Sequence, residues 1–223
     1  MQTFKRIERE ISQRLQALQS PTTARMRELR REYSKRIASS APEDVVSLAL
    51  RLLRIGVPEF IAYELVQYHK RALQSLKAKS LEELGRGINS WVAVDTFACF
   101  LSGPVWRERQ VSDSLIKRWA RSPDRWWRRA AVVSTVPLNN KSRGGSGDAK
   151  RTLMICEMLA ADRDDMVVKA VSWALRELAK RDHEAVGSFL IKHKDELAPR
   201  VLREVNNKLS TGLKNPRIRK ANC

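Results

Sequence analysis

The chain has 223 residues, 43% of them hydrophobic, and a net charge of +18. That content supports a sizeable core and excludes general disorder. No apolar run approaches the roughly 18–20 residues of a membrane span, and Met1 to Leu18 mixes charged with apolar residues as no secretory signal does. Cys99, Cys156 and Cys223 are far apart and lack CxxC spacing, which speaks against a disulfide framework or a zinc site and for a reducing cytoplasm.

Few Gly and Pro punctuate the chain, which suits helices joined by short loops. Residues 1–40 read as a basic helical part. In Glu43–Arg54 the residues Val45, Val46, Leu48, Ala49, Leu52 and Leu53 make an apolar stripe of helical period. Pro42, Glu43 and Asp44 suit its first turn, and Gly56-Val57-Pro58 stops it. A second helix is expected from Glu59 to about Lys77, with Phe60, Ile61, Leu65 and Tyr68 inward. Asn89-Ser90 is placed to cap a helix containing Trp91 to Leu101, which Gly103-Pro104 ends. Val111–Arg121 and Arg125–Ser134 follow, separated by Ser122-Pro123-Asp124. Asn139–Lys150 (NNKSRGGSGDAK) reads as a flexible basic loop, without the GxxxxGK[ST] order of a phosphate-binding P-loop. Arg151–Ala160, Met166–Lys180 (capped by Asp162 to Asp165), His183–His193 and Leu197–Leu209 complete the helices.

The helices fall into pairs. The second of each pair carries a small-and-apolar centre: Phe60-Ile61-Ala62, Val92-Ala93-Val94, Ala130-Ala131-Val132, Lys169-Ala170-Val171 and Pro199-Arg200-Val201. Their spacing of about 30–40 residues is that of helical-hairpin repeats. The expectation is one all-α domain over residues 1–212, a superhelical solenoid of HEAT-like helical hairpin repeats, then a disordered basic tail at 213–223. An irregular helical bundle is the competing architecture.

The charge is uneven. Residues 1–40 hold ten basic and four acidic side chains, residues 106–151 twelve and four, and residues 200–223 seven and one. The stretches between are neutral or slightly acidic. Three basic blocks on a folded protein point to a polyanion, because neutralising phosphates releases counterions. Lys141 and Arg143 in the glycine-rich loop fit a basic finger on nucleic acid, and no basic amphipathic membrane anchor stands out.

The six Trp, Trp91, Trp106, Trp119, Trp126, Trp127 and Trp173, lie in the central and later part among the Arg-rich helices, where an indole can stack on sugars and bases, although a Trp on an apolar helix face is more often core. Trp91 and Asp95 differ as a pair. Their i, i+4 spacing puts them on one helix face beside Val94 and Ala98, where a carboxylate is costly without a partner or a purpose. A salt bridge from Asp95 to an arginine such as Arg129 is the plain structural reading. In Met166–Lys180, the residues Met166, Val167, Ala170, Val171, Ala174 and Leu178 form the core stripe. Trp173 lies off it, in line with Lys169 and Glu177, toward a surface. His69, His183 and His193 share no ligand spacing, so no metal is expected.

The strings SWVAVD (Ser90–Asp95), WRRAAVV (Trp127–Val133) and KAVSWALRELAKRD (Lys169–Asp182) resemble those of the AlkD-type DNA alkylation repair glycosylases, over roughly residues 43–205. The resemblance implies a superhelix of HEAT-like repeats whose concave surface acts on DNA. It also implies excision of cationic N3- or N7-alkylpurines from duplex DNA in base excision repair, with no metal or cofactor. Carried over residue by residue, it makes Asp95, Trp91 and Trp173 the catalytic group, and Arg129 a phosphate contact. Arg128, Lys169, Lys141 and Arg143 join Arg129 as the expected DNA-binding set. The enzyme would act as a cytoplasmic monomer associated with the nucleoid. Members of the family offer an aromatic residue from the first repeat, where this chain has Tyr33 in an Arg-dominated Gln13–Arg36. Two other readings therefore stand beside the glycosylase: a non-catalytic member that binds branched or distorted DNA, and an interaction solenoid for an acidic protein.

Overall fold

The computed structural model of the chain describes residues 2–216, with side chains from Phe4 onward. All regular structure among these residues is helical. The chain divides into two compact units, one ending at Val111 and one beginning at Ser112.

The first unit is built from α1 (Gln2–Gln16), α2 (Thr23–Arg36), α3 (Pro42–Arg54), α4 (Glu59–Gln67), α5 (Lys70–Ser75), α6 (Ala78–Leu84), α7 (Trp91–Phe97) and α8 (Gly103–Arg107). One layer stacks α2 on α4 and α4 on α7, while α1 packs on α3, and α3 in turn contacts α4, α5 and α6. The apolar stripe of α3 is buried as expected at Val45, Leu48, Ala49 and Leu52. The second unit repeats the plan with α9 (Asp113–Ala120), α10 (Arg125–Val133), α11 (Val136–Asn139), α12 (Ala149–Met158), α13 (Asp165–Leu178), α14 (His183–Lys192) and α15 (Pro199–Thr211). Here α10, α13 and α15 form one layer, and α9, α12 and α14 the other. Each unit is thus a stack of helical hairpins, the architecture of a helical-repeat solenoid. No helix among the described residues is long and apolar enough to cross a membrane.

Three expectations need correction. The helix foreseen from Glu59 to Lys77 breaks at Tyr68-His69, where His69 turns extended and its Nδ1 accepts the Ala72 N–H at 3.0 Å to start α5. Tyr68 consequently points outward and is 60% exposed rather than inward. Gly103-Pro104 does not end its helix. Proline at 104 cannot donate to the carbonyl four residues back, and the chain widens into a π-helical turn, Ala98–Ser102, with the Gly103 N–H bonded to the Ala98 carbonyl, before running on as α8. The stretch 139–150, expected as a flexible basic loop, makes several defined contacts. Gly145 lies so close to the Pro137 and Leu138 backbone that no Cβ would fit. The Gly147 N–H donates to the Leu138 carbonyl at 3.0 Å, and the Asn139 Nδ2 to the Thr152 hydroxyl at 2.8 Å. The glycines serve close packing here, which composition alone cannot distinguish from a linker.

Of the expected tail, residues 217–223 lie outside the described residues. Lys214 before them pairs with Glu204 at 3.3 Å.

Candidate functional site

Helix α7 carries the first candidate pair. Ser90 caps it, its Oγ accepting the Ala93 N–H at 3.2 Å. Ala93, Val94 and Phe97 are buried, and the Phe97 ring meets Tyr63 at 5.8 Å between centroids. The Tyr63 hydroxyl donates to the Leu84 carbonyl at 3.0 Å, which fixes the ring that α7 leans on. On this rigid footing Trp91 is 56% exposed, a large apolar group left in water. Asp95, one turn on, is half-buried. A carboxylate one helical turn from an exposed indole can stabilise a developing cation.

The second unit holds the other candidates. Helix α13 starts at Asp164, whose carboxylate accepts from the Met166 and Val167 N–H groups. Arg129 of α10 is 5% exposed, and its Nη1 donates to the Met166 carbonyl, so it reaches the first turn of α13. Arg128 is a brace: its Nε donates to Asp162 at 2.7 Å and its Nη1 to the Ser122 and Pro123 carbonyls. Lys169 pairs with Asp165 at 2.6 Å. Trp173, one turn on, is half-buried. Glu177, expected on the same outer line, is instead buried and takes hydrogen bonds from Asn140 and Lys180.

The structure therefore brings Arg128, Arg129 and Lys169 to one end of the α10–α13 pair. Lys141 and Arg143 stand elsewhere. Their turn is held to the far end of α13 through the Asn140–Glu177 bond and through Arg181, which donates to the Asn139 carbonyl at 2.9 Å. A helix of this length separates the two ends by about 20 Å. Trp91 and Asp95 belong to the first unit.

Sequence reasoning missed several groups. Glu64 is buried and takes Arg27 and Arg30, each at 2.8 Å. Arg30 also lies over the Tyr68 ring at 4.2 Å, and Arg27 over Phe60 at 5.6 Å. In the second unit, Arg125 stacks on Trp126 at 4.8 Å, and Arg200 of α15 faces Asp165 at 3.8 Å. Only the i, i+4 spacing of Asp165 and Lys169 was visible in the sequence. Tyr33 is fully buried, with its hydroxyl donating to Glu10 at 3.3 Å. Trp106 and Trp119 are core. Cys156 is buried, which pushes its thiol up to about 12 and removes it as a nucleophile. No cluster of three or more His, Cys, Asp or Glu suited to a metal occurs among the described residues.

The family profile described as DNA alkylation repair enzyme matches residues 12–209. The chain belongs to that family. No curated protein matches it. Membership in the DNA alkylation repair enzyme family supports a role in repair and gives the +18 charge a partner, since such an enzyme must meet the DNA backbone. The match spans most of both units, so the candidates on α7, α10 and α13 all lie within the family region.

Proposed function

We propose that this DNA alkylation repair protein is a monofunctional glycosylase that removes cationic N3- or N7-alkylated purines from duplex DNA. The observation that carries the reading is the pairing on α7 of an exposed Trp91 with a half-buried Asp95. An N-alkylated purine is already positively charged, so it leaves with the glycosidic electron pair as a neutral base and needs no general acid. The deoxyribose becomes oxocarbenium-like as that bond breaks. Asp95 opposes this charge and orients the water that attacks C1′, which then loses its proton. Trp91, with its indole in water, packs on a backbone sugar and favours the cation. Trp173 and Arg129 enter by their family strings, as a second sugar-packing indole and a phosphate holder. No metal or cofactor takes part in this proposal.

The test is release of 3-methyladenine or 7-methylguanine from methylated duplex DNA. Asp95→Asn should lower the single-turnover rate roughly 10²–10³-fold, the scale of losing one preorganised charge-stabilising group, with binding to undamaged duplex kept. No release by folded wild-type protein would overturn the reading.

One observation favours a second reading. Tyr33, the aromatic residue of the first repeat, is fully buried, with Arg14 and Arg36 over its ring at 5.7 and 4.6 Å. It has no face to offer DNA. A non-catalytic member would bind branched or distorted DNA without base release, and the same assay separates the two.

A further inference from the structure

Five cations and three carboxylates meet where α10, α13 and α15 come together, and their pairs are not equivalent. Asp162 is nearly buried and fixes Arg128. Asp164 has a second duty as the cap of α13, besides facing Arg125 at 3.5 Å. Asp165 differs from both. Its side chain is 56% exposed, and it engages two cations from two helices: Lys169 of α13 at 2.6 Å and Arg200 of α15 at 3.8 Å. Lys169 foremost, then the charges of Arg200 and Arg129, hold its carboxyl below the usual range.

Arg200 is also placed against the helix dipole. It stands in the first turn of α15, a turn without an acidic residue. A cation there repels the positive end of the helix unless an anion lies beside it. Asp165 is that anion, although its own pairs are exposed to solvent and so individually weak. Two cations on adjacent helices, converging on one exposed and replaceable anion, make a receptor for an anion from outside.

We propose that Lys169 and Arg200 form a docking site for a DNA backbone phosphodiester, and that the Asp165 carboxylate fills this site in the free protein and yields it on binding. The proposal rests on the duplex-DNA reading above and adds Arg200 as a phosphate contact and Asp165 as an internal competitor. Phosphate recognition of this kind positions the protein without reading sequence. Self-occupancy lowers affinity for undamaged backbone, and the exchange keeps both cations paired throughout.

Titration of undamaged duplex with the full chain tests this. Asp165→Asn should tighten binding about three- to fivefold at low salt and steepen the log–log salt dependence by about one. Glu184→Gln is the control. It changes net charge equally but lies beside the opposite end of α15, where the His183 Nε2 meets the Leu209 carbonyl at 3.1 Å. Adding Lys169→Gln and Arg200→Gln to Asp165→Asn should erase the gain. The proposal is overturned if Asp165→Asn gains no more than the control, or if its gain survives loss of both cations. Either result leaves duplex binding by the wild type intact, so the function reading stands. Failure of the wild type to bind duplex at any salt overturns both.

Discussion

In the first unit, α2 is held to its neighbours by charge; in the second, α13 is held by alkyl groups. The buried residues of α2 are only Leu29, Arg30 and Tyr33, and its arginines reach Glu64 on α4 and Glu10 on α1. Helix α13 instead buries Val167, Val168, Ala170, Val171, Ala174, Leu175 and Leu178, and of its charged residues only Glu177 is buried. Each lies in the layer formed by the second helices of the hairpins of its own unit. Part of the basic excess of residues 1–40 is therefore already paired. Arg14, Arg27, Arg30 and Arg36 are committed to Glu32, Glu64 and Glu10. Net charge counted over a segment overstates what DNA can use where a carboxylate from outside it, as Glu64 is for Arg27 and Arg30, has claimed its arginines.

The contrast can be broken experimentally. The largest effect is expected at Glu64, which is 2% exposed. Glu64→Ala leaves Arg30 buried and uncompensated and should cost about 4 kcal/mol in urea melts of the full chain, since breaking a buried pair strands a charge. A loss under about 1 kcal/mol would mean that charge is not what holds α2. Leu175→Ala, at a fully buried site of α13, should cost about 3 kcal/mol through transfer and cavity terms. That loss should be insensitive to salt; a strong salt dependence would show that the α13 layer is not apolar in its energetics. Asp164→Ala removes the α13 cap and should cost about 1 kcal/mol by the same melts.

The smallest effect is in acid. The Arg36 guanidinium holds Glu10 below the usual glutamate value of 4.5, and Arg14 does the same for Glu32. For depressed carboxyls, the stabilisation is full above the unfolded value and is lost as pH falls through the lower folded value. As acid is added, hydrogen exchange corrected for intrinsic rate should therefore show α2 losing protection before the centre of α13. Simultaneous loss in both would remove the distinction.

Helices with an apolar stripe were legible in the sequence almost to the residue. Met166–Lys180 was expected where α13 spans Asp165–Leu178, with its cap placed within Asp162–Asp165. Period and capping chemistry are local, so the chain states them directly. The polar layer was not legible, because Glu64 meets Arg30 across 34 residues and no spacing rule reaches that far. The same limit hid Arg200, whose partner is 35 positions earlier. Tyr68 was misread because the break at His69 depends on a side-chain cap within an otherwise continuous helical pattern. Of the candidate site, family strings supplied Trp91, Asp95, Arg129 and Trp173. Geometry added that Arg128 braces a turn and that Lys141 and Arg143 belong to the far end of α13.

The π-helical turn at Ala98–Ser102 sets the phase between two parts of one continuous rod. Upstream lie Trp91 and Asp95; downstream lie Val105 and Trp106, both fully buried in the core. Each residue of an α-helix advances the side chain by about 100°. Removing one residue from this turn would set α7 and the buried stretch after it about a quarter-turn out of phase, so that the two could no longer both keep their buried faces and the bearing of Trp91 and Asp95. The bearing of the α7 pair relative to the core that follows it is thus set by a count of residues, and a deletion that touches neither Trp91 nor Asp95 puts the two in conflict.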